Sequence, residues 1–106
     1  MEYLFREGFT LLHRNWRNGR YELDLVAEKD GILHIVEVKT RATGNPVSPE
    51  EAYTRKKFKA LCRAVEYFIG LYKIDMDVQF DLIAVEHNET GGFSLRYIPD
   101  VMSPMW

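Results

Sequence analysis

Cysteine is nearly absent. Cys62 stands alone among 106 residues, so no internal disulfide can form. It falls on an apolar helical stripe, which makes it a packed core thiol rather than a nucleophile. No run approaches the ~20 consecutive apolar residues of a membrane-spanning helix. The opening residues 1–7 lack the basic-then-apolar pattern of a secretory signal. These absences point away from a membrane and toward the cytoplasm. Charge of one sign is also missing: the net charge is only −2, so any case for nucleic-acid binding must rest on local clusters. There is no internal repeat, linker or low-complexity tract. At 106 residues, 46% hydrophobic and 13% aromatic, the chain suits one compact domain spanning 1–106 around one core.

What is present is a pattern of short elements. Tyr3, Leu4 and Phe5, closed by Gly8, read as the last turns of a helix that would begin before residue 1. Residues 9–17 read as a first strand. Asn18-Gly19 predicts a type I′ hairpin turn, since both residues tolerate a positive φ. A second strand covers about Arg20 to Glu28. Lys29, Asp30 and Gly31 turn the chain into a third, about Ile32 to Thr40, apolar enough to be buried on both faces. Ser48 as N-cap, Pro49 at the first position and Glu50 and Glu51 behind it announce one helix over 49–72. Apolar residues at 58, 61, 62, 65, 68, 69 and 72 give it a continuous stripe. Val78 to Glu86 and Phe93 to Ile98 complete five strands. A crossover helix between the third and fourth strands favours their parallel, right-handed pairing. The expected fold is α/β with a five-stranded mixed sheet.

The chemistry gathers on the second and third strands. Glu22 and Asp24, two apart, should share one face, with Leu23 and Leu25 on the other. Glu37 and Lys39 share a face of the third strand, with Val36 and Val38 opposite. Acids and a lysine set into so apolar a hairpin are costly without partners or a metal. Glu22, Asp24 and Glu37 suit Mg²⁺ or Mn²⁺, which take a few carboxylates and complete their shell with water and substrate phosphate. The backbone carbonyl of Val38 could join them. Such an ion would acidify a water and offset charge on a phosphodiester under attack. Lys39 could orient that water or stabilise developing negative charge. The plainer reading, that an acid-x-lysine pair is simply a solvated strand face, is weakened by the apolar context and the neighbouring acids.

Residues 21–27, residues 36–41 (Val-Glu-Val-Lys-Thr-Arg), a lysine-rich helix start and residues 79–85 resemble the YraN-like bacterial family. That family is a branch of the PD-(D/E)XK nuclease superfamily, close to the Holliday-junction resolvase-like nucleases. The resemblance runs from Tyr3 to about Ile98. It implies a restriction endonuclease-like, three-layer α/β/α fold and a Mg²⁺-dependent DNA endonuclease, on branched DNA in the resolvase-like case. Asp24, Glu37 and Lys39 match the superfamily motif, and Glu22 matches the acid two before its aspartate. Leu23 replaces the proline of the superfamily name. The family's further glutamate, in the first helix, falls before residue 1, and Glu2 has the wrong spacing to replace it.

Arg55, Lys56, Lys57, Lys59 and Arg63 bring five bases within nine residues with no acid among them. With Arg14, Arg17, Arg20 and Arg41 they are candidate phosphate contacts on the face flanking the site. The alternative is a solvated face balanced by Glu50, Glu51 and the acidic 75–89 segment. His13 and His34 are isolated and are not proposed as ligands. Asp81, inside an apolar strand, has an open role. Trp16 and Tyr21 could stack on a base, with packing against the helix the commoner use. Symmetric cutting of a two-fold junction suggests a homodimer, with the apolar tail from Met102 to Trp106 as its candidate surface. A nuclease-fold module that binds nucleic acid or a protein without cleaving is the second function class consistent with these residues.

Overall fold

The computed structural model describes residues 2–103. A short helix, α1 (Glu2–Arg6), leads into three strands, β1 (Thr10–Asn18), β2 (Tyr21–Lys29) and β3 (Ile32–Ala42). Two helices follow, α2 (Pro49–Ala52) and α3 (Arg55–Tyr72), and then β4 (Asp77–His87) and β5 (Phe93–Ile98). The strands form one open sheet in the order β1-β2-β3-β4-β5. Pairing is antiparallel except between β3 and β4, which the long crossover brings together in parallel. The fold is α/β with a five-stranded mixed sheet, as the sequence predicts.

The turns differ in detail from expectation. Asn18 ends β1 and pairs with Tyr21, so the central residues of the first turn are Gly19 and Arg20. Only Gly19 has a positive φ, +60°, the requirement of a glycine-first II′ turn rather than the I′ turn expected around Asn18-Gly19. The I′ signature appears one hairpin later. There Asp30 (φ 53°) and Gly31 (φ 78°) are both left-handed and the pair Lys29–Ile32 closes the turn.

The predicted 49–72 helix is two helices. Ser48 caps α2 as expected, its Oγ accepting from the Glu51 amide at 3.1 Å. The chain then leaves the helical path at Tyr53. Thr54, extended at φ −79° and ψ 159°, becomes a second N-cap whose hydroxyl accepts from the Lys57 amide. A threonine that can satisfy an orphan amide competes with helix continuation, and here it wins.

Two apolar clusters lie on opposite faces of the sheet. Phe58, Leu61, Ala64, Val65 and Phe68 of α3 pack on Leu23, Val26, Leu33, Ile35, Phe80 and Leu82. The other face carries Leu25, Ala27, Val36 and Ile83 under Leu4 and Phe9, with Tyr3, Val38 and Tyr97 against them. Cys62 is half-buried against the first cluster, and burial raises its thiol pKa, consistent with a packed thiol. Trp16 serves packing. It is buried edge-on against Phe68 and donates its indole N–H to the Tyr72 hydroxyl at 3.1 Å. Met102, partly buried, packs on the α3-side cluster. Residues 104–106 of the expected dimer surface lie outside the described residues.

Candidate functional site

The site begins where two strands part. β2 and β3 share a ladder only from Lys29–Ile32 to Leu25–Val36, whereas β3 follows β4 as far as Ala42–His87. Glu37, Val38 and Lys39 therefore have a strand neighbour on one side only. The Val38 amide, released by the parting, donates to Asp24 Oδ2 at 3.0 Å. A strand amide without an acceptor is costly, so the carboxylate closes the end of the ladder and is itself fixed by it.

β2 is irregular at this point. β1 pairs Arg14 with Leu25 and then Trp16 with Leu23, passing over Asn15 and Asp24, and Asn15 has a left-handed backbone, φ 51°. Leu23 lies on the α3 side and Leu25 on the other, against the expectation that they share a face. The acids line different recesses: Glu22 the cleft beside α3, Asp24 a groove with Arg14, Asn15 and Val38. Strict two-residue alternation, which predicts a shared face for Glu22 and Asp24, is not kept between Leu23 and Leu25.

Asp24 nevertheless acts on Glu37. Burial first, then the charge of Asp24, pushes the Glu37 carboxyl up to about 7; Lys39 opposes this and Glu22 adds to it. A compensating cation would relieve that repulsion. Among the described residues no three His, Cys, Asp or Glu side chains converge as a ready metal cluster. Of the three expected ligands, Asp24 and Glu22 both act on Glu37 through their charge, Asp24 the more strongly.

Glu37 and Lys39, alternating on one face of β3 as expected, open with Glu22 into a cleft of about 250 Å³ under α3. Lys57, Ala60, Leu61 and Ala64 form the helix wall. Arg20, Tyr21 and Tyr53 complete it. Tyr53 was not among the residues expected at the site, and Lys57 was expected only as one of the α3 bases flanking it. The sequence signal for both is Thr54, whose capping of Lys57 sets where α3 starts. Tyr53 is 5% exposed, its hydroxyl has no hydrogen-bond partner among the described residues, and burial and the charge of Glu37 raise its pKa.

The other basic candidates divide. Arg55, Lys56, Lys59 and Arg63 are exposed on α3 but do not line the cleft. Arg20 is exposed at the rim, its guanidinium 5.4 Å from the centre of the Tyr21 ring. Arg41 is half-buried, with Nε and Nη1 inside and unpartnered among the described residues, so it is less available than an exposed phosphate contact would be. Glu50 does not balance the basic run on α3; it makes a two-pronged pair with Arg96 of β5, at 3.1 and 3.2 Å.

His34 and Asp81 find each other on the face opposite Glu37, 2.7 Å apart. Fully buried, Asp81 also accepts from Gln79, the Tyr97 hydroxyl and the Asp100 amide. This saturated network ties β3, β4, β5 and the residues after them, which answers the open question about Asp81 with a structural role. His13 packs on Phe68 and Tyr72.

A family model described as "Uncharacterised protein family UPF0102" matches residues 1–85. A UPF0102 protein of Bacteroides fragilis is 41% identical over 104 residues, 98% of this chain and 85% of the relative. One from Bacteroides thetaiotaomicron is 43% identical over 102 residues, 96% and 84% of the two lengths. One from Porphyromonas gingivalis is 38% identical over 91 residues, 86% and 67% of the two. With the family pattern covering most of its length and relatives this similar end to end, the chain belongs to the uncharacterised protein family UPF0102.

Proposed function

We propose that this protein is a metal-dependent nuclease of restriction endonuclease-like fold that hydrolyses DNA phosphodiester bonds, with Asp24, Glu37 and Lys39 as its working residues. One observation carries the reading. At the parting of β2 and β3 Glu37 is driven to about 7 by burial and by Asp24, and Lys39 shares its cleft. A strongly perturbed acid in a cleft beside a lysine is what phosphoryl chemistry needs.

The donor set fits a hard divalent cation. Asp24 and Glu37 supply oxygen ligands whose mutual repulsion a cation would relieve, and magnesium commonly takes only one or two carboxylates from the protein. Bound there, Mg²⁺ or Mn²⁺ would lower the pKa of a water and offset charge on the phosphate. The chain's own residues do the rest. Asp24 is held by the Val38 amide, so its position does not depend on substrate. The Lys39 ammonium stabilises negative charge on the phosphoryl oxygens as it develops. Lys57 and Arg20, on the rim, steer the backbone of the DNA toward the cleft.

The test is Lys39→Ala against wild type in Mg²⁺ and in Mn²⁺, scored for binding and for cut product on linear, flapped and four-way DNA. Turnover should fall by about two powers of ten or more, since each ~1.4 kcal/mol of lost transition-state stabilisation is tenfold. Affinity should change little, one phosphate contact among several carrying a modest share. Wild-type protein that binds these DNAs and cuts none would replace this reading with a binding module.

A further inference from the structure

Phosphate contacts made by exposed bases require no recess, yet this site has one. Its volume of about 250 Å³ lies just under the roughly 300 Å³ at which small-molecule pockets begin, room for one ring system and not for a base pair. Ala60 and Ala64, one helical turn apart, keep the α3 wall low, and Leu61 makes it apolar. Tyr21, which also lines the cleft, is held by stacking on Tyr67, centroids 5.0 Å apart and planes 25° from parallel, with the Arg20 guanidinium 5.4 Å from its ring centre. An aromatic ring immobilised in this way is a stacking platform. Tyr53 adds a buried hydroxyl that lacks a partner among the described residues, a donor whose cost an occupant with an acceptor would remove. The lining also carries the cations Lys39, Lys57 and Arg20 and the acids Glu22 and Glu37, whose charge the divalent cation of the proposed function would offset.

An apolar slot with one unpaired donor, three cations and two acids that a metal would neutralise matches a molecule with a flat heteroaromatic end and an anionic end. We propose that the cleft admits a single unpaired nucleotide of a DNA strand, its base between Tyr21 and the low wall of α3 and its phosphate toward Lys39. The preferred substrate is then DNA with an extruded or single-stranded nucleotide at the site of action rather than continuous duplex. The assignment rests on the nuclease reading for where the phosphate lies, but the base slot makes its own prediction about affinity.

Ala60 is exposed, so Ala60→Leu fills the slot without disturbing the core. Three duplexes are compared by fluorescence anisotropy: fully paired, with one unpaired 2-aminopurine, and with an abasic residue at that position. Wild type should bind the unpaired base about tenfold more tightly than the other two, since one stacked base contributes on the order of 1.4 kcal/mol. Binding should quench the 2-aminopurine. Ala60→Leu should abolish both effects, and Tyr53→Phe, which keeps the ring, should weaken the preference while leaving the quenching. Equal affinity for the three DNAs, or a preference that survives Ala60→Leu, overturns the slot. Cut product is scored in Mg²⁺ on the same DNAs. Cleavage of paired duplex without any preference sinks the slot and spares the nuclease; a tenfold preference without cleavage sinks the nuclease and supports the slot.

Discussion

Glu37 ties the site to stability as well as to chemistry. Its carboxyl stands at about 7 in the folded protein against an ordinary 4.5, so between those values the folded state binds a proton that the unfolded chain has released. The stabilisation is complete below the unfolded value and is lost as pH rises through the folded one. In the presence of a chelator the loss should be on the order of 3 kcal/mol. Urea unfolding of wild type and Glu37→Gln at about pH 5 and about pH 8 checks this: wild type should lose ground relative to the variant at the higher pH. Asp24→Asn makes a separable point. The amide oxygen can still accept from the Val38 N–H, so the fold should survive, but the charge that helps raise Glu37 is gone. A carbon-13 titration of the Glu37 carboxyl should then show a lower midpoint than wild type. That Asp24, Glu37 and Lys39 belong together was legible in the sequence, because a single hairpin joins them. Their division between a groove and a cleft was not, because it goes with a loss of two-residue alternation between Leu23 and Leu25 that the local residue pattern does not signal.

At the scale of elements, the break between α2 and α3 decides the shape of the cleft. Thr54 ends one helix's path and starts another, bringing Tyr53 and Lys57 to the site. Thr54→Ala removes the cap and should lower stability by about 1 kcal/mol, measured by denaturant unfolding. The continuous apolar stripe from Phe58 onward made α3 readable in advance. The same reading ran α2 into it, since Ala52, Tyr53 and Arg55 are all compatible with a helix and only the local competition at Thr54 separates them. Similarly, Asn18-Gly19 marked a hairpin correctly while the turn type followed the register, which leaves only Gly19 in the left-handed region.

At the scale of the whole molecule, one sheet separates two cores, and Asp81 is the polar tie between its central and edge strands. Four donors converge on this fully buried carboxylate, and burial and the hydrogen bond to Asp81 hold the Tyr97 hydroxyl protonated. Asp81→Ala would strand those donors without an acceptor and should cost more than about 3 kcal/mol, seen as a large drop in Tm. Because His34 and Asp81 lie on the face away from Glu37, a variant still folded at low temperature should bind DNA as wild type does.

By itself the sequence determined the α/β class, the order of strands, the parallel β3–β4 pair and the acid and lysine positions of the candidate site. These follow from periodicity, turn residues and crossover length, all of them local or nearly so. Tertiary structure alone decided what holds Asp24, where β2 leaves β3, which helix base reaches the cleft and that His34 serves Asp81. The Val38–Asp24 and His34–Asp81 bonds join residues 14 and 47 positions apart, whose partners are chosen by packing and by the need of every buried polar group for a mate.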